Sequence, residues 1–168
     1  MTIAASPSED HGINLLTPED KTILSIGIST GGIAEIRMTQ ADADRHIIAT
    51  TIDAKGLPFA EEYIAKQGLS SQIETKLEDV SEPLPYPEDH FDFIYARLVL
   101  HYLSEAKLRS TLKELRRVLK DGSKLYIVVR SDACPDATAE GTVYDPVTHL
   151  TSNTKTTPDG SIYRYGER

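Results

Sequence analysis

A chain of 168 residues with 39% hydrophobic and 26% charged side chains fits one soluble domain large enough to bury a real core. Its formal net charge of −8 excludes a general affinity for nucleic-acid backbones or anionic membranes, where binding depends on concentrated Lys and Arg, so small molecules or proteins are the expected partners. A single cysteine, Cys134, excludes an internal disulfide and a cysteine metal cluster, and His11, His46, His90 and His149 lack metal-ligand spacing, so no metal site is expected.

Residues 1–12 carry small and acidic residues without apolar periodicity and read as a flexible, solvated arm with neither the basic start nor the apolar stretch of a signal peptide. No apolar run approaches membrane-spanning length, so the expected location is cytoplasmic. Thr17-Pro18-Glu19-Asp20 offers a capping residue, a proline suited to the first helical position and acids in the first turn, which predicts a single helical turn. An apolar strand over about 22–26 then breaks into Gly27-Ile28-Ser29-Thr30-Gly31-Gly32 and a helix over about 33–39.

The near-continuous apolar run 46–53 predicts a strand buried on both faces, as parallel sheets require, and it ends in Asp53. A helix over about 58–67, begun by Pro58 and stopped by Gly68, leads to a third strand over about 72–77 that ends in Glu78-Asp79. Pro83, Pro85 and Pro87 make the next segment a stiff loop, and Phe91–Ala96 is the fourth strand. Leucines 108, 112, 115 and 119 recur at helical spacing from the cap Ser104 to about Lys120, with Asp121-Gly122 as the stop and Lys113, Glu114 and Arg117 on a solvated face. Residues 123–130 form strand five. Strands alternating with helices predict an α/β fold, a Rossmann-like doubly wound, mostly parallel sheet in three layers, with ligands beyond the carboxyl ends of its strands.

Three features fall on that edge. The glycine turn permits close backbone approach and leaves helix-opening N–H groups free for polar ligand atoms. Asp53 can accept two hydrogen bonds from ribose hydroxyls, and Asp79 one from an exocyclic amine, each contributing roughly 1.5–3 kcal/mol when charge-assisted.

With these residues in order, the sequence resembles the class I S-adenosylmethionine-dependent methyltransferases, in particular their small-molecule branch. The resemblance is carried by Ile23–Gly32, Thr51–Asp53, Leu77–Val80, the long block Pro85–Leu103 and Leu115–Ser123, and covers about residues 22–130. It implies a methyltransferase-like domain over 13–130 that uses S-adenosylmethionine to methylate a small-molecule acceptor. By position, Gly27, Ser29 and Gly31 would line the methionine and ribose end, Asp53 would take the ribose hydroxyls, Asp79 and Val80 would meet the adenine, and Ala96 and Arg97 would close the pocket near the sulfonium. Arg97 is electrostatically awkward beside a cation, so an anionic acceptor or solvent is open to it as well. His101 is the candidate catalytic base for a protonated acceptor, with packing in the apolar segment 98–103 as the structural alternative.

The family's acid before the first glycine is Ser25 here, and its middle glycine is Ser29. Were φ positive at 29, serine would cost about 1–2 kcal/mol there. Residues 131–168 read as a C-terminal loop and β-hairpin with its turn at Asp159-Gly160. The fold is thus expected to be shortened, with strand five at an open apolar edge covered by a second copy in a homodimer or by a partner protein. Two other functions fit parts of the pattern: a non-catalytic methyltransferase-like remnant or regulatory subunit, favoured by the altered turn and shortened end, and an NAD-type oxidoreductase, because Gly27, Ser29 and Gly32 can be laid on G-x-G-x-x-G. The oxidoreductase reading leaves the block 85–103 unexplained.

Overall fold

The computed structural model describes residues 6–131, 133–135, 141–156 and 162–167. Its apolar runs form the strands β1 (Thr22–Ile26), β2 (His46–Thr51), β3 (Ile73–Leu77), β4 (Phe91–Arg97) and β5 (Leu119–Val128), all parallel in the order β3-β2-β1-β4-β5. The order reverses between β1 and β4, which makes the carboxyl ends of those two strands the crevice of an open α/β sheet.

Alternation along the strands divides the core between the two sheet faces. Ile23, Ile47, Ala49, Phe93 and Tyr95 pack against helices α2 (Ile33–Ala41) and α3 (Leu57–Lys66), whereas Leu24, Ile26, Ile94 and Ala96 face helix α4 (Glu105–Val118) through Leu115 and Val118. This is the predicted three-layer α/β architecture.

Four local outcomes differ from the expected pattern, each for a physical reason. Pro7–Asn14 forms helix α1 where a solvated arm is expected: Ser6 caps it by accepting from the Glu9 amide, Pro7 opens it, and Gly12 packs so closely on the Tyr95 and Tyr126 rings that a Cβ would lie 2.7 Å from Tyr95 Cε2. Residues 17–20 make a turn closed by the Asp20 amide on the Thr17 carbonyl (3.1 Å) rather than a helix. Helix α4 ends at Val118, before Asp121-Gly122, because Leu119 already pairs with Phe91. The excess residues around Gly122 (φ 77°) bulge out of β5 before pairing resumes at Phe93 with Lys124; Phe91 belongs to the core cluster with Leu115 and Val118, and Phe93 to the one with Ile36 and Ile64.

The fourth difference is the role of Glu114 and Arg117. Instead of lying on a merely solvated face, they fasten the proline-rich crossover from β3 to β4: Glu114 accepts from the Leu84 amide (3.0 Å) and pairs with Arg117 (2.8 Å), which donates to the carbonyls of Leu84 and Tyr86.

Beyond β5 the chain builds a second, antiparallel sheet, β6 (Val143–Asp145), β7 (Leu150–Thr156) and β8 (Ile162–Glu167), in that order. The expected hairpin is the β7–β8 pair, and its expected turn residues Asp159 and Gly160 lie outside the described residues. Strand β5 is an edge of the main sheet, and Ile127 on it and Val129 just past its end are exposed. No helix among the described residues is long and apolar enough to cross a membrane.

Candidate functional site

The turn after β1 is shaped by its neighbours. The Gly27 and Ile28 amides both donate to the Thr50 carbonyl at the end of β2 (2.8 and 2.9 Å), which bends the chain sharply off the strand. Gly27 has φ 84°, and a Cβ on it would collide with Val99 Cγ2, so this position requires glycine on both conformational and steric grounds. Ser29 is not among the residues of positive φ, so the serine is accommodated without the left-handed penalty. Among the described residues, the amides of Ser29, Thr30 and Gly31 have no backbone partner, and Ser29 and Thr30 are exposed.

The acid missing at position 25 is replaced from elsewhere in the fold. Ser25 is buried and donates its hydroxyl to Glu35 Oε1 at 2.5 Å, and Glu35, in the first turn of α2, is 3% exposed. Burial raises the Glu35 carboxyl above the ordinary glutamate range, with the Ser25 hydrogen bond acting against that shift. A carboxyl group therefore still braces the strand just before the turn, delivered by the helix.

Beside this turn lies an apolar cavity of about 230 Å³ over the carboxyl ends of β1, β2 and β3. Ile26 and Gly27 form its floor, Thr50, Thr51 and Ile52 one wall, Glu78 and Val80 a second, and Val99, Tyr102 and Leu103 a third. Ile52 is 75% exposed, an apolar side chain left open at the mouth. Glu78 is fixed by a hydrogen bond from the Tyr86 hydroxyl (2.9 Å), and that buried hydroxyl is held protonated first by desolvation and then by Glu78 itself.

Around this cavity the expected site residues separate into two groups. Gly27 and Val80 line it, and Asp53 stands at its rim: Asp53 Oδ1 accepts from the Lys55 amide (3.0 Å), while Oδ2 packs on Gly56, where a Cβ would also come within 3.1 Å of Thr30. Asp53 and the Ser29–Gly31 turn are therefore neighbours. Asp79, by contrast, is not among the lining residues and its Oδ1 accepts from the Ser81 amide (2.8 Å); Glu78, one residue earlier, lines the cavity. Ala96 is fully buried in the core beneath the turn, and Arg97 faces α1, where it bonds Ser6 and Ser8.

His101 is brought to a different place. It is 2% exposed in the 3₁₀ turn Leu100–Tyr102 and lines a separate apolar cavity between α4 and β5 with Leu108, Leu112, Ile127 and Val129. The structure does not bring it to the cavity beside Gly27. Sequence reasoning missed Glu35, Glu78, Val99 and Tyr102; the signal available for Glu35 was an acid on the buried face of α2, in step with Met38 and Thr39.

A parallel sheet with its order reversed at β1 and β4, and a pocket over the glycine turn at that point, define a Rossmann-like nucleotide-site scaffold. Residues 24–127 match the family model described as a methyltransferase domain, and the chain belongs to this family of class I S-adenosylmethionine-dependent methyltransferases. An uncharacterised methyltransferase of Synechocystis is 26% identical over 98 residues, which are 58% of this chain and 42% of that protein. The crystal structure of the [4+2]-cyclase SpnF is similar at 28% identity and TM-score 0.61, over 70% of this chain and 42% of that one. A Pyrococcus horikoshii protein, PH0226, shares the fold over 95% of this chain and 72% of its own at TM-score 0.72 and 15% identity. The chain thus spans under half the length of the first two.

Proposed function

We propose that the protein transfers a methyl group from S-adenosylmethionine to a small-molecule acceptor, with the adenosyl part held in the cavity beside Gly27. The observation that carries this reading is the meeting of three things at one rim: an apolar slot, a turn whose N–H groups have no backbone partner, and an exposed carboxylate, Asp53. These suit a flat base, the polar atoms near it and a ribose diol respectively. Ile52 and Val80 would sandwich the base, Glu78 would accept from its exocyclic amine, Asp53 would accept from the ribose hydroxyls, and the Ser29–Gly31 amides would face the methionine end. S-adenosylmethionine supplies the methyl as an electrophilic carbon on a cationic sulfur. What remains for the chain is to align the acceptor and exclude water, work done by Val99, Tyr102 and Leu103 over the turn. His101 is assigned to packing in this scheme, so no side chain is given the part of general base.

A role other than methyl transfer, catalytic or not, is the second reading, favoured by one finding: a neighbour 28% identical is a [4+2]-cyclase, so the scaffold is not confined to methyl transfer. Cytoplasmic location belongs to the same proposal and is supported by the single cysteine.

Calorimetric titration with S-adenosylmethionine, S-adenosylhomocysteine and NADH separates the readings. Saturable binding of the first two, weakened about ten- to a hundredfold by Asp53→Ala, is the expected result. Binding of NADH alone contradicts it in favour of an oxidoreductase, and binding of none leaves the second reading.

A further inference from the structure

Arg97 ends β4 on the face of the sheet opposite Ala96, and so opposite the cavity that holds Ile26 and Val80. One edge of its guanidinium is engaged: Nε donates to Ser8 Oγ (3.0 Å) and Nη2 to Ser6 Oγ (2.6 Å), and the two hydroxyl oxygens lie 3.2 Å apart. That edge, presented to two adjacent oxygens, is the arrangement by which arginine grips a carboxylate or phosphate. Here neutral hydroxyls hold those positions, and among the described residues no carboxylate pairs with Arg97. The acids nearby are already committed, Glu9 and Asp10 to Arg37 at 2.6 Å each and Glu35 to Ser25.

A second observation falls on the same face. Tyr95, two residues earlier on β4, is 4% exposed, and its hydroxyl has no hydrogen-bond partner. Buried hydroxyls are nearly always paired, so one without a partner asks for a ligand. Arg97 is near enough to act on the charge of this hydroxyl, as are Glu9 and Glu35, while burial dominates and keeps it protonated, hence a donor. Arg97, bound to Ser6 and Ser8, and Tyr95 with its unpartnered hydroxyl thus lie two residues apart on the same face of β4.

We infer that Arg97 and Tyr95, with the serines of α1, form the seat for an anionic group, a carboxylate or phosphate, on the methyl acceptor. The inference rests on the methyl-transfer reading for the word acceptor, but not for the anion seat. It gives the acceptor a side of its own: the nucleoside occupies the face of Ala96, the acceptor's anion the face of Arg97, and their reacting ends meet over the β1–β4 crevice, as an end-on transfer demands. Ser6 and Ser8 would either give way to the anion or donate to it.

The test uses inorganic phosphate and acetate as probes at constant ionic strength, followed by NMR at the Ser8 amide and the ring of residue 95. Saturable shifts are expected in the wild type, weakened about tenfold or more in Arg97→Gln and by a smaller factor in Tyr95→Phe, which keeps the ring stacked on Tyr126. Linear shifts, or shifts equal in all three proteins, would overturn the seat. Expulsion of phosphate by S-adenosylhomocysteine, with no expulsion by methylthioadenosine, would assign the seat to the cofactor's own carboxylate and overturn the acceptor assignment. Saturable phosphate binding in a protein that binds no S-adenosylhomocysteine would contradict the methyl-transfer reading and leave the anion seat supported.

Discussion

At the scale of single residues, Gly27 and Val99 form one device. The glycine turns at φ 84° and leaves the space that Val99 Cγ2 fills, which draws the chain after β4 down onto the turn after β1. Gly27→Ala is predicted to lower stability by about 2 kcal/mol through the left-handed backbone and the collision together. Adding Val99→Ala removes only the collision, so chemical denaturation should find the double variant less destabilised than the sum of the two single changes. Strict additivity would mean that the two residues do not touch.

Glu35 carries a second prediction at this scale. Its carboxyl is raised in the folded state, so folding favours the protonated form: its contribution to stability is greatest below the unfolded value near 4.5 and declines as pH rises through the higher folded value. Glu35→Gln retains an oxygen for the Ser25 hydroxyl and cannot ionise. Thermal melts from pH 4 to 8 should therefore show a flatter loss for the variant than for the wild type. The Ser25–Glu35 exchange also shows what a single position conceals. The absent acid was visible at 25, but its replacement comes from ten residues further on, through a helix-to-strand contact that no local period encodes.

At the scale of elements, the crossover between β3 and β4 has no helix of its own and depends on α4 for its shape. Arg117, with help from the Leu84 amide, pulls the Glu114 carboxyl down to about 2. A depressed acid contributes stability that is present above its unfolded value near 4.5 and lost as pH falls through about 2. Amide exchange in residues 80–90 should accelerate across that window in the wild type, whereas Glu114→Gln should exchange faster already at pH 6 and lack the acid-dependent component. Equal exchange in both proteins would remove Glu114 as the fastening.

The five strands of the main sheet and three of the four helices were legible: apolar runs mark β1 and β2, Pro58 and Gly68 bracket α3, and leucines recur at helical spacing in α4, whereas β6 was not read. Helix α1 was written in a different code, the N-cap Ser6 followed by Pro7 in the first turn, which outweighs the lack of an apolar stripe. The junction at Leu119 was hidden because strand pairing to Phe91, not the glycine three residues later, ends the helix. For the site, the turn and Asp53 could be read from strand ends. The choice of Glu78 over Asp79 depends on which way the chain leaves β3, and the placement of His101 depends on the 3₁₀ turn that follows Leu98 at φ 58°.

At the scale of the whole molecule, the sheet has an exposed apolar edge at β5, next to an apolar cavity of about 230 Å³ between that strand and α4. Such an edge invites pairing. We propose that a second copy or a partner chain covers it, and sedimentation equilibrium at tens of micromolar should show self-association; a clean monomer contradicts a homodimer. The central claim concerns the opposite corner, the cavity over β1 to β3 as the seat of an adenosyl group. Nuclear Overhauser contacts from the adenine protons of bound S-adenosylhomocysteine test it most directly. The account predicts cross-peaks to the methyl groups of Ile52 and Val80; a bound nucleoside with neither contact, or one seen instead against Leu108 and Ile127, would contradict it.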